Sequence, residues 1–189
     1  MLIRHSQLRE LDDFFELSPE GVEELDPQLR FWTERSITRG RHSNSVRVRK
    51  TIDLESNAPR YLIKSRIADK EISYCHDSMF DYRISISLES NWIGNEDHLR
   101  PLDEVGTRNK FRHSYRHREF QMDVTQVSKV DDPSQKDFEV EVEISGPYLA
   151  DQMQKLLSGK DNKYMEMVQD FVNNTRLLCK NADVGNKQA

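Results

Sequence analysis

From residue 46 to residue 144 the chain alternates polar and apolar positions with a period of two, the repeat of a strand whose successive side chains point to opposite faces. Six segments carry it: 46–49, 61–67, 81–89, 108–115, 120–127 and 138–144. The cleanest is 81–89, with Arg83, Ser85, Ser87 and Glu89 on one face and Ile84, Ile86 and Leu88 on the other. Turn-rich stretches at 55–59, 91–95, 103–106 and 131–136 separate the segments. Ser145-Gly146-Pro147 ends the alternation, and 148–157 and 163–178 then show apolar stripes at helical spacing. At the other end, Leu8, Leu11, Phe14 or Phe15, and Leu17 predict a short helix over 5–17, with Ser6 near its start and Ser18–Gly21 as its stop. Residues 22–30 predict a further helical turn ended by Asp26-Pro27, and 181–189 a frayed tail. The expected fold is therefore α+β: one domain over 1–180, an antiparallel sheet or barrel with a short N-terminal helix and C-terminal helices.

Composition changes that picture in one respect. Only 35% of the 189 residues are apolar and 32% are charged, yet 8 Phe, 2 Trp and 6 Tyr are too many aromatics for a disordered chain. A core exists, and the strands carry unusually polar faces. No apolar run approaches the ~18–20 residues of a membrane span, so no membrane partner is expected, and the opening MLIRHSQLRE lacks the apolar stretch of a signal peptide. Cys75 and Cys179 stand apart with no CxxC pattern, which argues against structural zinc and a disulfide scaffold and fits a reducing compartment. With 28 Lys+Arg against 33 Asp+Glu, the net charge is −5, so any anionic ligand must be held by a local basic surface.

The polar faces are segregated by sign. One strand presents Arg108, Lys110 and Arg112; another presents Glu139, Glu141 and Glu143. A merely solvated face mixes signs, because opposite charges across strands are mildly favourable. Glutamates two apart on a strand stand about 7 Å from each other. At an effective dielectric near 20 each adjacent pair repels by roughly 2 kcal/mol, and in bulk water by well under 1 kcal/mol. The row is therefore tolerable in water and ruinous in an enclosure, unless cations neutralise it. Facing basic strands and a divalent ion are the available neutralisers, and oxygen-only ligands suit Mg²⁺ or Mn²⁺. A barrel with a polar lumen would gather these faces around a polyanion bound with metal, such as a triphosphate.

The runs RYLIKSRIADKEISYCHDSMFDYRISISLE, RNKFRHSYRHREFQMDVTQV and FEVEVEI, in that order, resemble the fungal type of mRNA-capping RNA 5′-triphosphatases, which belong to the triphosphate tunnel metalloenzymes. The resemblance covers about residues 44–145. It implies an antiparallel tunnel barrel and removal of the γ-phosphate of nascent mRNA as the first step of capping, with Mg²⁺ or Mn²⁺ as cofactor. By residue it implies Glu139 and Glu141, supported by Glu143, at the metal, and Arg47, Lys64, Arg108, Lys110 and Arg112 on phosphate oxygens. Asp123 and Thr125 belong to the same lumen, and Glu89 orients the attacking water. Arg66 and Arg83 are expected to be structural partners outside it.

Two departures accompany the resemblance. Gln121 stands where the family carries arginine, so one charge contact to the phosphate or to an acidic neighbour is expected to be lost. No second E-x-E strand precedes residue 139, since Glu23-Glu24 does not alternate; the chain then reads as truncated or as a divergent copy. The implied partners are the 5′-triphosphate end of RNA, nucleoside triphosphates with Mn²⁺, an mRNA guanylyltransferase and a second copy of the chain, with nuclear localisation. The competing readings are a non-catalytic relative that binds triphosphate ends or a capping partner, and an inorganic tripolyphosphatase.

Overall fold

The computed structural model describes residues 3–31, 46–72, 80–102 and 106–182. Its spine is β1 (Arg4–Leu17), a 14-residue strand hydrogen-bonded along both edges. On one side of it, β2 (Arg47–Asp53), β3 (Pro59–Ile72) and β4 (Tyr82–Asn91) form an antiparallel meander. The short β5 (Leu99–Pro101) pairs with β1 at Phe15–Leu17. On the other side, β6 (Arg108–His117), β7 (Phe120–Lys129) and β8 (Lys136–Ile144) form a second meander. The order is β4-β3-β2-β1-β6-β7-β8, and the sheet curls into a half-barrel. Among the described residues β4 and β8 do not pair, so the half-barrel is open along those two edges.

The helix expected over 5–17 is thus a strand. Leu8, Leu11 and Phe15 fit a helical repeat, but Leu11, Phe15 and Leu17 also satisfy a period of two, with Leu8 on the opposite face. Leu11, Phe15 and Leu17 point outward, while Glu10, Asp12 and Glu16 point inward toward the basic positions of β2 and β6. Backbone ladders on both edges, with cross-strand charge pairing, override a local helical preference that is weak anyway. The residues expected to stop a helix start one instead. Ser18 caps α1 (Pro19–Glu23) by accepting from the Gly21 amide, and Pro19 supplies the fixed φ of a first turn. Asp26 likewise accepts from the Gln28 and Leu29 amides at the start of α2, whose described residues are 27–31.

The core lies on the outer face. Val46, Val48, Ile63, Leu17 and Trp92 pack there against Leu25 and Leu29 from the α1–α2 segment. Val48 and Ile63 are register partners and are 0% and 1% exposed. Tyr61 meets Trp92 edge to face at 5.6 Å, and its hydroxyl donates to Glu96 at 2.6 Å. Behind the sheet, α3 (Gly146–Leu157) leads into α4 (Tyr164–Ala182), which packs on β8. Because α4 runs to Ala182, the expected tail begins later than residue 181; residues 183–189, like Cys75, lie outside the described residues. With an outer-face core, the inner face is left to polar chemistry.

Ile63→Ala should lower unfolding free energy by about 2–5 kcal/mol, the range for truncating a buried isoleucine. Val140→Ala, on an edge strand where Val140 is 59% exposed, should change it by less than about 1 kcal/mol. Urea unfolding of both variants checks the pair.

Candidate functional site

Antiparallel register brings the sequence-predicted residues to one face. Lys64 opposes Glu89, Arg112 opposes Thr125, Thr125 opposes Glu139 and Asp123 opposes Glu141. Gln121 opposes Glu143, and Arg108 and Lys110 share their side of β6 with Arg112. Arg47 lies on the same face of β2, opposite Glu16. All eleven predicted residues therefore line the concavity. Arg66 and Arg83, expected outside it, share this face as well: Arg66 opposes Ser87, and Arg83 lies beyond it on β4, opposite Glu71.

The strand misread as a helix supplies what was missed. Glu10 and Asp12 are 3% and 1% exposed, and they face the basic strand. Lys110 Nζ stands 2.7 Å from Asp12 Oδ2, and Arg108 Nη2 3.9 Å from the same oxygen. Thr51 Oγ1 donates to Asp12 Oδ1 at 2.6 Å. Glu10 meets Arg60 Nη2 at 2.8 Å and Arg112 Nη2 at 3.9 Å. Burial acts to raise the Asp12 carboxyl, but hydrogen bonds from Lys110 and Thr51 and the charges of Lys110 and Arg49 outweigh it, and the net shift is downward. An E-x-D strand thus precedes residue 139, with its carboxylates paired to cations. The sequence signal for it is Glu10, Asp12 and Glu16 at even positions, two and four residues apart.

The basic side keeps open valences. Among the described residues, Arg49 Nε, Arg108 Nε and Arg112 Nε are buried without acceptors, and Thr125 Oγ1 is buried without a partner. Arg49, two residues after Arg47 on the same face, is half-buried beside the Asp12 cluster, whereas Arg47 is exposed at the end of β2. Arg108 stacks over the Phe14 ring at 4.6 Å, which fixes its plane. Arg112 Nη1 lies 3.4 Å from Asp123 Oδ2. Gln121 answers for the family arginine by relay. Its Nε2 donates to both Asp123 oxygens at 3.0 and 3.1 Å, and its Oε1 accepts from Arg116 Nη2 at 2.6 Å. The acidic neighbour is still held, with Arg116 supplying the positive charge one residue away.

The acidic side is the reverse. Glu139 and Glu141 are solvent-exposed, and no three His, Cys, Asp or Glu side chains converge as a metal site among the described residues. Glu143 also touches water, yet its carboxyl is raised above 4.5, first by partial withdrawal from bulk water within the curl and then by Glu141, Asp123 and Glu89. Glu89, on the opposite edge strand, adds the smallest push in the same direction, and Lys64 beside Glu89 works against it. Lys64 Nζ holds Glu89 Oε1 at 2.6 Å. Glu139, Glu141 and Glu143, which face no cation across β7, are hard-oxygen donors of the kind that suit Mg²⁺ or Mn²⁺. Magnesium is commonly held by one or two carboxylates together with substrate phosphates, so the residues fit such an ion without a preformed cage.

Two predictions follow the two signs. Asp12→Asn leaves Lys110 buried without its counter-ion and should cost about 3–5 kcal/mol, with the double variant Asp12→Leu/Lys110→Met recovering most of it. The Asp12 contribution is complete above its ordinary value of 3.8 and is lost as pH falls through its lowered folded value, so wild type should lose stability in acid faster than Asp12→Asn does. Glu143→Gln should instead raise the melting temperature at pH 7 in metal-free buffer. That gain should vanish as pH falls through the raised Glu143 value, where the wild-type carboxyl takes up its proton. Melting curves across pH, with and without Mn²⁺, test both signs.

Comparison with known proteins accords with this geometry. The family model described as "mRNA capping enzyme, beta chain" matches residues 2–184. Comparison with curated protein sequences gives no match. Among solved structures, an RNA triphosphatase of S. pombe, Pct1, is 26% identical with a TM-score of 0.67, over 94% of this chain and 58% of that one. The same enzyme in complex with the Spt5 CTD gives 24% identity and a TM-score of 0.69, over 94% and 59%. The chain thus spans a little under three fifths of the length of these structures. With the match running nearly end to end, the chain belongs to the mRNA capping enzyme beta-chain family.

Proposed function

We propose that this chain carries the phosphate-binding and water-activating parts of a divalent-metal-dependent RNA 5′-triphosphatase. The observation that carries the reading is the set of buried donors without acceptors, Arg49 Nε, Arg108 Nε, Arg112 Nε and Thr125 Oγ1, on one concave face with the glutamate row. Buried polar groups are nearly always partnered, so several orphan donors on one surface point to an anionic ligand. Arg49, Arg108 and Arg112, with Arg47 and Lys64 at the periphery, bind the oxygens of the triphosphate. Lys110, fixed by Asp12, contributes charge from beneath. Glu139 and Glu141, with Glu143 beside them, would hold Mg²⁺ or Mn²⁺, which when bound neutralises charge on the γ-phosphate. Glu89, steadied by Lys64, orients a water and accepts its proton. Attack on the γ-phosphorus breaks its bond to the β-bridging oxygen and leaves diphosphate-ended RNA and inorganic phosphate. Phosphoryl transfer needs positioning and charge neutralisation above all, and the face supplies both.

The same reading extends to nucleoside triphosphates with Mn²⁺, to work in the nucleus beside an mRNA guanylyltransferase, and to a homodimer. A second reading, binding of triphosphate ends without turnover, is favoured by the unpaired edges of β4 and β8 and by the lack of a converged metal cage among the described residues. Single-turnover phosphate release from 5′-triphosphate RNA separates them. Catalysis requires release with Mg²⁺ or Mn²⁺, none with chelator, and a loss of about 10²–10³ in Arg112→Ala, the range for one preorganised charge-stabilising donor. Tight binding without release establishes the second reading. Faster release from tripolyphosphate than from RNA makes the chain a tripolyphosphatase.

A further inference from the structure

The outer face of the central strands is unlike the rest of this acidic chain. Outward positions of β1 from His5 to Leu11, of β6 from Asn109 to His117 and of β7 from Phe120 to Ser128 carry no Asp or Glu. Three register pairs build a ladder there: His5 opposite Tyr115, Gln7 opposite His113 and Arg9 opposite Phe111. The rings of His5 and Tyr115 stack at 4.8 Å, those of His5 and His113 at 5.5 Å, and Phe111 meets His113 edge-on at 4.7 Å. Arg9 lies over Phe111 at 5.4 Å. Gln7 Nε2 donates to His113 Nδ1 at 3.3 Å, and His5 Nε2 lies 3.2 Å from the same nitrogen. His5, Gln7 and Arg9 are exposed, and the β6 rings half-buried.

This array meets the concave face at the rim. Arg4 and Arg116, the residues next to His5 and Tyr115, point inward and oppose each other directly. Like charges in that position repel, and an anion between them removes the penalty. Arg118 stands in the adjoining turn at φ 53. Along β6, Arg112 and Arg116 are separated by four residues, about 13 Å. A polyanion anchored on Arg112 therefore has a basic path to the rim and rings just past it.

We propose that the outer face of β1 and β6 is a stacking platform for single-stranded RNA: backbone phosphates cross the Arg4–Arg116 rim and bases stack on His5 and Tyr115. Preordered rings on a sheet beside a cationic track are how single strands are held without sequence preference. Gln7 and Asn109 add donors and acceptors for base edges. The inference rests on the reading above that the substrate is an RNA end, and it concerns the nucleotides that follow the triphosphate.

The test uses a labelled 5′-hydroxyl oligoadenylate, which has no triphosphate, and fluorescence anisotropy at low salt. Wild type should bind it. Tyr115→Ala should weaken binding about five- to hundred-fold, the range for losing one base–aromatic stack, while Tyr115→Phe retains it. Arg4→Ala should reduce the slope of log affinity against log salt by about one. No binding by wild type overturns the proposal. So does unchanged affinity in a Tyr115→Ala protein of native circular dichroism, an outcome that leaves the surface to a protein ligand. Phosphate release is read separately: a chain that binds this RNA but releases no phosphate sinks the catalytic reading and leaves the platform standing.

Discussion

The buried Asp12 carboxylate is the joint on which this half-barrel turns. It belongs to β1, accepts from Thr51 on β2, and lies 2.7 Å from Lys110 on β6, so one side chain ties together the two meanders that flank the spine. Without it Lys110 would be buried with no counter-ion, and of the two buried carboxylates of β1 only Glu10 would remain to meet the cations on either side. A buried pair of this kind adds little net stability against an apolar substitute, but losing one partner is severe. Its contribution is therefore registry: it places β1 so that Glu10 meets Arg60 and Arg112, and so that Leu17 and Phe15 meet the outer core.

That registry divides the molecule by chemistry. The outer face near α1 takes the apolar side chains, and the inner face takes nearly every charge that could bind substrate. On the inner face the carboxylates of β1 and β4 have cation partners, and those of β8 have none opposite them. Around β1 and β6 the cations have carboxylate partners and still retain Nε donors without acceptors. On β8 the carboxylates have no cation opposite them, since Thr125, Asp123 and Gln121 are what β7 presents. The face thus carries two unmet demands of opposite sign, for anionic oxygens at the centre and for a cation at the β8 edge. A metal-bound polyphosphate meets both at once.

Much of this was legible in the residues, and the parts that were not share a cause. Six strands declare themselves because each has one apolar and one charged face, which a local window reveals. Those same faces carry Glu89, Lys64, Asp123, Thr125 and the two charged rows. β1 hides because Leu8, Leu11 and Phe15 fall at helical spacing, and because the partners that make its carboxylates worthwhile lie far along the chain at Lys110 and Arg112. Alternation also cannot rank positions of equal parity. Arg47 and Arg49 face the same way, and only the pairing of β2 with β1 shows that Arg49 sits deeper, beside Asp12. The turn residues were ambiguous for a similar reason: Ser18-Pro19 ends one element and caps the next, and the pattern preceding it decides which reading is chosen.

The charge logic also explains why a sheet with exposed edges is curled rather than flat. In a flat sheet the carboxylates of β4 and β8 would be six strands apart, about 28 Å at the usual spacing, and screened from each other at physiological salt. Here Glu89 adds a small push to the Glu143 carboxyl, opposed by its own partner Lys64, after the larger effects of burial, Glu141 and Asp123. The repulsion that opposes folding in the absence of a ligand lies mainly along β8 itself, where Glu141 and Asp123 raise Glu143 and no cation stands opposite. What offsets it is the outer core, where Val48, Ile63 and Trp92 pack against Leu25 and Leu29. The apolar packing on one face supplies the work that concentrates negative charge on the other, and the repulsion held there is released when a cation arrives.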